Sequence, residues 1–267
     1  MAVARVRFRF VFLAGALGAC IVAAQSGRQM KAGPAGGASQ IDELVLANHI
    51  LSLNGVLDAY GHVSVRSERD PKHFFLARHI PAATVTRADI LEYDLDSQQI
   101  GRDQGAGFTE RFIHGEIYRA RPDVMAVVHC HSAEVLPFTV TGVPLRPMIH
   151  MAAFLGGPVP VFEIRDAGGI TDMLIRNPEL GRALAKSLGN NTAVLLRGHG
   201  AVVVAPSLHV VAGRAYYMSV NAKTQQQAIL LGGGKVTYLD PGEARKALPQ
   251  DGYERSWELW KHQATAK

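Results

Sequence analysis

The chain contains few cysteines, with Cys20 and Cys130 as the only two among its 267 residues. If an N-terminal segment that includes Cys20 is removed, no cysteine pair remains, and no internal disulfide can stabilise the rest. Stability must then come from a hydrophobic core. A chain of this length with 48% hydrophobic residues is long enough for one sizeable core, and we expect one domain.

The chain also lacks blocks of like charge. Its formal charge of +5 includes three arginines within the first 24 residues, without which 25 basic residues face 23 acidic ones. No run of about five or six like charges occurs, and no aromatic residues alternate with Lys and Arg along one stripe. These absences exclude an electrostatic nucleic-acid footprint, so we expect no nucleic-acid partner.

Residues 1–24 have the pattern of an export signal. Arg5, Arg7 and Arg9 precede an apolar run of about 15 residues, which is shorter than the roughly 20 residues of a membrane-spanning helix. Two processing sites fit: a lipoprotein-like box that ends at Cys20, and an ordinary small-residue cleavage site at residues 22–24. Cys20 is otherwise only a small apolar residue of the run. We expect an exported protein, periplasmic or secreted, to which the lipoprotein box would add a lipid anchor.

Residues 25–40 are rich in Gly, Ala and Ser, which predicts a flexible linker before the folded part. From residue 41 onward, helical and strand-like patterns alternate without a βαβ repeat of fixed period. The predicted helices cover 41–53, 110–121 after Thr109, 170–188 and 207–231, and the predicted strands cover 62–66, 74–76, 90–95, 124–130, 159–162, 193–196 and 201–205. This order favours a layered α/β domain over residues 41–245 with a mixed or antiparallel sheet, followed by a helical tail over residues 246–267.

Two histidines stand at the end of the predicted strand 124–130. His129 and His131 are two residues apart, so both side chains point to one side of the strand, while Cys130 points to the other. Imidazole is a common metal ligand, but two ligands do not complete a site. A hydrogen-bonded pair of histidines would give the same pattern.

His199 is the candidate for a third ligand. Gly198 and Gly200 flank it and permit a close backbone approach, and the apolar segments on either side would fix its direction. A hairpin turn with an exposed histidine would also explain Gly-His-Gly alone. Together with His129 and His131, three neutral nitrogens would leave open positions on a divalent ion, as in catalytic metal sites.

Four motifs resemble the class II aldolase/adducin family. They are Glu110-Arg111-Phe112, Arg121-Pro122-Asp123-Val124, His129-Cys130-His131-Ser132 and Leu196-Arg197-Gly198-His199-Gly200, and their order and spacing match over about residues 41–232. The resemblance implies a fuculose-phosphate aldolase-like fold, which is a single three-layer α/β/α domain with a mixed, largely antiparallel sheet. It also implies a homotetramer with sites at subunit interfaces.

The same resemblance implies a function for the motif residues. One divalent ion per subunit, zinc or manganese, would be held by His129, His131 and His199, and Glu110 would be the acid/base. The residues alone favour another interpretation of Glu110, a helix-start carboxylate that interacts with the helix dipole, and only the resemblance favours the acid/base. His114, one turn further along, would orient Glu110 or line the pocket, unless it is only a core or solvated histidine.

The chain departs from the phosphate-binding elements of the sugar-phosphate aldolases. It has Gly61-His62 in place of a Gly-Asn turn, Arg78-His79 near a Thr-Gly pair, and Phe108-Thr109 in place of serines. The planar guanidinium of Arg78 suits a carboxylate, and His62 and His79 add hydrogen-bond donors. We therefore predict a small carboxylate substrate bound by these three residues with Thr109 and His114, with mere loop variation as the alternative.

These departures are similar to a decarboxylase branch of the family, of the 3-hydroxy-2-methylpyridine-4,5-dicarboxylate 4-decarboxylase type. His150 falls near the place where aldolases present an acid from a neighbouring subunit, and its imidazole could deliver a proton; a core histidine beside methionines is the other reading. Loss of carbon dioxide and retro-aldol cleavage both leave a carbanion that a metal ion stabilises as an enolate. The resemblance thus implies a metal-dependent carbon-carbon lyase that decarboxylates a small hydroxyaryl or hydroxy/oxo carboxylate.

Three alternatives remain open for the function. The first is an aldolase or epimerase acting on a sugar or sugar phosphate, which shares the same enolate chemistry. The second is a non-catalytic, adducin-like binding module, against which the retention of all three histidines and Glu110 argues. The third is an exported, lipid-anchored solute-binding protein, which would bind its ligand unchanged.

Overall fold

A seven-stranded sheet organises the part of the chain that the computed structural model describes, residues 39–101, 105–249 and 252–266. The strands are β1 His62–Arg66, β2 His73–Ala77, β3 Ile90–Asp94, β4 Ala126–Cys130, β5 Val161–Phe162, β6 Ala193–Leu196 and β7 Gly200–Ala205. Their spatial order is β3-β2-β1-β4-β7-β6-β5, and every neighbouring pair is antiparallel except β5 with β6. The predicted mixed, largely antiparallel sheet is confirmed.

Helices cover both faces of this sheet. They are α1 Gln40–Leu53, α2 Arg111–Ala120, α3 Leu136–Val140, α4 Ile164–Gly168, α5 Pro178–Leu188, α6 Leu208–Leu231, α7 Pro241–Lys246 and α8 Glu254–Thr265, with short 3-10 segments at Ala82–Thr84, Arg87–Asp89 and His150–Leu155. Two hydrophobic cores result, one beneath α1, α6 and α8 and one beneath α2 and α5. This arrangement is the expected three-layer α/β/α domain.

Strand β4 lies between the two cores because its residues alternate between them. Val128 and Cys130 belong to the core beneath α1 and α6, whereas Val127 belongs to the core beneath α2 and α5. All five residues of the strand are buried, which explains why its sequence is a continuous apolar run up to His129. The sheet therefore holds His129 rigidly at its centre.

The predicted helix over residues 170–188 is wrong in its first part. The helix α5 starts only at Pro178, and Ile170 is 99% exposed. Proline fits the first turn of a helix but disfavours helical backbone in the residue before it. Asn177 therefore becomes the N-cap, and its side chain accepts a hydrogen bond of 2.9 Å from the N–H of Leu180.

Smaller differences occur at other predicted boundaries. The first helix begins at Gln40 with Ser39 as its cap, and α2 is preceded by Glu110 rather than Thr109 as its N-cap. The Glu110 side chain makes no capping hydrogen bond, because its carboxylate faces the cluster of histidines described below. The predicted export signal, residues 1–24, and the predicted linker up to residue 38 lie outside the described residues. No described helix combines the length and the hydropathy that a membrane crossing requires.

Candidate metal centre and surrounding cavity

The three candidate ligands converge at one end of the central strands. His129 and His131 lie at the end of β4, and His199 lies in the turn between β6 and β7. This turn approaches β4 closely, since a Cβ on Gly200 would lie 2.2 Å from the carbonyl oxygen of Cys130. Glycine at position 200 is therefore required for the strand pairing that brings His199 to the other two histidines.

A carboxylate completes the cluster. Ligand atoms of Glu110, His129, His131 and His199 all lie within 4.8 Å of one another. The Nε2 atoms of His129 and His131 are 3.1 Å apart, and Oε2 of Glu110 is 3.5 Å from Nε2 of His129 and 3.4 Å from Nε2 of His199. One carboxylate oxygen and three ring nitrogens thus face a common point.

Hydrogen bonds fix the protonation of two of these rings. Nδ1 of His129 lies 3.1 Å from the carbonyl oxygen of Ala201, and Nδ1 of His131 lies 3.1 Å from a carboxylate oxygen of Asp58. Since both partners only accept, each Nδ1 carries the hydrogen and each neutral ring presents a bare Nε2. Two lone pairs that face each other at 3.1 Å repel unless a cation lies between them, so this donor set fits a divalent metal ion.

The electrostatics of the cluster favour the same protonation. Burial and the neighbouring His129 lower the pKa of His131, which favours the neutral ring that a metal ion needs. Burial alone would raise the pKa of Glu110, but the adjacent rings of His129 and His199 outweigh burial and lower it below its usual range. Glu110 is therefore ionised, and its Oε1 accepts a 2.9 Å hydrogen bond from the N–H of Ile175.

The cluster opens into a cavity of about 470 Å³, which is within the usual range for small-molecule sites. Its lining residues are Tyr60, His62, His79, Phe108, Thr109, Glu110, His131, Leu174 and His199. The structure thus brings four predicted residues, His62, His79, Thr109 and Glu110, to the same cavity as the histidine cluster. None of the described residues that line it is a lysine or an arginine.

Arg78 is not among these lining residues, and its predicted contact with substrate stays a prediction. Its Nε donates a 2.6 Å hydrogen bond to Asp89, whose carboxylate is also bound by Thr86. His79 lies in a tight turn, in which the N–H of Ile80 donates a 2.7 Å hydrogen bond to the carbonyl oxygen of Arg78. The ring of His79 lies at the cavity, 5.1 Å from that of Phe108.

His114 is completely buried and also does not line the cavity. Its two ring nitrogens contact Nδ1 of His62 at 2.7 Å and Oγ of Ser64 at 2.6 Å. The predicted direct contact of His114 with substrate is therefore corrected, because the residue lies behind His62. His114 reaches the cavity only through that ring.

His150 lies away from the histidine cluster. It lines a second cavity, of about 500 Å³, together with Met151, Tyr217 and Tyr253. Within one chain this position does not serve the site at Glu110. The predicted role of His150 in the site of a neighbouring subunit stays a prediction.

Asp58 is the functional candidate that sequence reasoning missed. Besides His131, its Oδ1 accepts hydrogen bonds from the N–H groups of Tyr60 at 2.9 Å and Gly61 at 2.7 Å. An aspartate that accepts hydrogen bonds from the N–H groups two and three residues later is typical of a turn. Because this local role explains the residue, the sequence did not indicate its contact with His131. Burial alone would raise the pKa of Asp58. The two backbone hydrogen bonds and His131 together have the larger effect and lower the pKa below its usual value, so the carboxylate is charged.

We predict that Asp58→Asn weakens zinc binding about 10–100-fold, because carboxylate partners of metal-binding histidines orient the ring and raise its basicity. The dissociation constant, measured by competition with a chelator, checks this. Asp70→Asn is the matched control, since Asp70 also caps a turn, with its Oδ1 on the N–H of Lys72, and lies outside the cluster. Equal zinc affinity in Asp58→Asn and the wild type would contradict the orienting role of Asp58.

Because His114 is buried, we expect the protein to lose stability in acid. Burial is the main cause that lowers its pKa to about 3, while the ring of the unfolded chain titrates near 6.5. Below about pH 6.5 the unfolded state binds a proton that the folded state rejects down to about pH 3, so stability falls with pH in this window. One such group removes about 1.4 kcal/mol of unfolding free energy between pH 7.5 and 5.5.

Urea unfolding of the wild type and of His114→Asn at these two pH values measures the effect. The variant is expected to lose about 1.4 kcal/mol less than the wild type on acidification. Shared contributions, including release of a metal ion, cancel in this difference. An identical loss in both proteins would show that the ring of His114 becomes protonated in the folded state above pH 5.5.

Comparison with known proteins identifies relatives over most of the chain. Residues 42–226 match the family described as class II aldolase and adducin N-terminal domain. Decarboxylase tropJ of Talaromyces stipitatus is 40% identical over 236 residues, which are 79% of this chain and 89% of that protein. The 3,4-dihydroxyphthalate decarboxylase of Arthrobacter keyseri is 26% identical over 240 residues, 83% of this chain and 91% of that protein.

Solved structures share the fold. An aldolase II superfamily protein from Pseudomonas syringae superposes with a TM-score of 0.71 at 19% identity, and the match covers 86% of this chain and 95% of that chain. At this level of identity the likeness concerns the fold alone. The fold of this chain is thus a known architecture.

Proposed function

This chain belongs to the class II aldolase and adducin family, and from that premise we propose that it is a metal-dependent decarboxylase of a small hydroxyaryl carboxylate. The chain is an enzyme, a lyase of the class II aldolase superfamily. The family also contains aldolases, so the reaction and substrate have to be argued from the cavity. The two relatives named decarboxylases support the reaction type.

The observation that carries the proposed substrate class is the lining of the cavity. Phosphate is ordinarily bound by lysine, arginine or a helix N-terminus. No described lining residue is a lysine or an arginine, and the N-terminus of α2 presents the ionised carboxylate of Glu110 to the cavity, which disfavours a phosphate there. The aromatic and imidazole rings of Tyr60, His62, His79 and Phe108 form the wall beside the histidine cluster. Such a wall can pack against a flat ring and can form a small number of hydrogen bonds in defined directions. Both properties suit an aromatic acid.

The residues that would hold the metal ion are His129, His131 and His199, with Glu110 beside them. When bound there, a divalent ion acts as a Lewis acid that stabilises negative charge on substrate oxygens. The side chains of His62, His79 and Thr109 are placed around the same cavity to bind the remaining oxygens. Phe108 contacts the rings of both His62 and His79 and forms an apolar part of this wall.

Glu110 moves the proton in the proposed reaction. Its ionised carboxylate accepts the proton of the hydroxyl group that is adjacent to the substrate carboxylate. The carbon–carbon bond then breaks, carbon dioxide leaves, and the bonding electrons stay on the ring. Glu110 returns the proton to that ring carbon, so the carboxyl group is replaced by hydrogen and the phenolate takes a proton from solvent on release.

We also propose that the enzyme is a homotetramer with sites at subunit interfaces, where His150 would serve a neighbouring site. Exposed apolar side chains support an association surface. Pro137, Val143, Ile229 and Leu230 line a shallow groove between α3 and the end of α6, and Leu231 is exposed beside them. Light scattering that finds only monomers at assay concentration would overturn this assembly. Export stays a prediction, because its signal lies outside the described residues.

A thermal-shift screen of the metal-loaded protein tests the substrate class, since a ligand that binds only the native state raises Tm. The probes are 3,4-dihydroxyphthalate and 2,3-dihydroxybenzoate against L-fuculose 1-phosphate, with benzoate as the control that lacks a hydroxyl group. We expect the hydroxyaryl acids to raise Tm and benzoate to act weakly. Stabilisation by the sugar phosphate alone would contradict the proposal and favour aldolase or epimerase chemistry.

A further inference from the structure

A chain of buried hydrogen bonds runs from the cavity wall into the core beneath α2. Nδ1 of His62 lies 2.7 Å from Nε2 of His114, and Nδ1 of His114 lies 2.6 Å from Oγ of Ser64. The chain ends at Tyr118, whose hydroxyl oxygen is 2.7 Å from Oγ of Ser64. His62, Ser64, His114 and Tyr118 are each at most 1% exposed.

Each group in this chain is neutral. Burial raises the pKa of Tyr118 above its usual value, so the phenol keeps its hydrogen. Burial likewise lowers the pKa of His114 to about 3, so that its ring carries one hydrogen and not two. A neutral imidazole has one nitrogen that donates and one that accepts, and each ring must therefore choose a direction.

The phenol of Tyr118 decides that direction. Among the described residues, Oγ of Ser64 is the one acceptor within reach of its O–H, so Tyr118 donates to Ser64. The hydrogen of Ser64 then goes to its other partner, Nδ1 of His114. The opposite direction would leave the Tyr118 O–H buried without an acceptor, and an unsatisfied buried donor is strongly disfavoured.

The direction continues to the cavity. Because His114 accepts at Nδ1, its hydrogen is on Nε2 and is donated to Nδ1 of His62. His62 then accepts at Nδ1 and carries its own hydrogen on Nε2. His62 lines the cavity beside His129, with ring centroids 5.1 Å apart, and the ring of Phe108 lies 4.4 Å from it on the cavity wall.

We propose that this chain holds His62 as a fixed, neutral hydrogen-bond donor, whose Nε2–H binds an anionic oxygen of the substrate. Ser64, His114 and Tyr118 are positioning residues that act through His62. The contact with substrate rests on the proposed function, whereas the direction of the chain does not. A donor that is already oriented stabilises charge without reorganising, and His62 leaves the proton transfer to Glu110.

Nitrogen NMR of the zinc-loaded, full chain with ¹⁵N-labelled histidine tests the direction. Long-range correlations distinguish a protonated ring nitrogen from a bare one. In the wild type we expect hydrogen on Nε2 of both His62 and His114. Hydrogen on Nδ1 of His62 would overturn the proposal.

Two variants test what holds the direction. Ser64→Ala removes the link between Tyr118 and His114, so both ring forms of His62 should become populated. The matched control is Tyr93→Phe, because Tyr93 lies in the same core and its buried hydroxyl has no hydrogen-bond partner in the described part of the chain. The control should keep the wild-type form, and a mixture of forms in it would contradict the role of the chain.

Binding of 2,3-dihydroxybenzoate to the zinc-loaded protein tests the contact. The probe should shift the Nε2–H signal of His62, and His62→Phe should weaken its binding about 10–100-fold, as expected for a lost hydrogen bond to a charged group. His62→Gln retains an N–H near the same place and should bind within about threefold of the wild type. A bound probe that leaves the signal unchanged, or equal binding by His62→Phe, would overturn the contact.

These outcomes are separable from the proposed function. If the probe binds and shifts His62 as expected while no hydroxyaryl acid loses carbon dioxide, decarboxylation is contradicted and the donor role of His62 is supported. If carbon dioxide is released while His62 carries hydrogen on Nδ1, decarboxylation is supported and the direction of the chain is overturned.

Discussion

Replacing Glu110 with glutamine is expected to lower kcat about 10²–10⁴-fold, which is the usual contribution of a general acid or base. The amide keeps the shape of the side chain, and its oxygen still accepts the hydrogen bond from Ile175 that Oε1 accepts now. A neutral amide cannot take a proton from the substrate. Steady-state kinetics with the hydroxyaryl acid that binds most tightly, together with the metal content of the protein, measure the effect.

A control on the same helix separates this effect from a general loss of structure. Glu116 lies on α2, is buried, and pairs with Arg119 and Arg182 away from the cavity. Glu116→Gln should therefore retain kcat within a few-fold. Wild-type turnover of Glu110→Gln would contradict the proton transfer by Glu110, and loss of the metal ion together with activity would identify Glu110 as a ligand instead.

Removal of His199 is expected to have the second large effect. Loss of a direct ligand should exceed the 10–100-fold loss of affinity that follows loss of an outer partner, so His199→Ala should weaken zinc binding more than about 100-fold. His199 lies in a turn rather than in either core, so we expect its removal to leave the sheet intact. The metal dissociation constant and the Tm in excess zinc measure the change.

The expected change in stability follows from linkage. A ligand present at about 100 times its dissociation constant stabilises the native state by about 2.7 kcal/mol, and the variant should lose most of this. His262→Ala is the control, because His262 is exposed on α8 and outside the cluster. Full zinc occupancy of His199→Ala under the same conditions would show that the ligand set is wrong.

The histidine cluster was predictable because each histidine stands in a local pattern with a definite geometry, and because the resemblance to the class II aldolase/adducin family joined these patterns into one candidate metal site. Two histidines spaced by one residue on a buried strand must face the same side, and glycines around His199 indicate a close approach. The sequence could not reveal which residues support the ligands from a distance. Asp58 contacts His131, which is 73 positions away in the chain. An aspartate at position 58 is already explained by the turn that it caps, so the sequence gives no sign of the second contact.

The sequence was less informative about which residues face the cavity. Arg78 and His79 are adjacent, and only the three-dimensional course of the segment decides that His79 faces the cavity while Arg78 binds Asp89. His114 lies at helical spacing from Glu110, which is compatible with the pocket, but packing against His62 places it one layer deeper. Burial of a polar residue depends on partners that are distant in the sequence.

Release of carbon dioxide from 3,4-dihydroxyphthalate by the purified protein is the most direct measurement of the proposed function. The protein is stripped with a chelator and assayed before and after zinc or manganese is restored. We predict one carbon dioxide and one hydrogen-substituted ring product per substrate consumed, with activity that is absent from the stripped wild type, restored by metal and missing in His199→Ala. Equal activity of the stripped protein, or cleavage of L-fuculose 1-phosphate without any decarboxylation by the loaded protein, would contradict a metal-dependent decarboxylase.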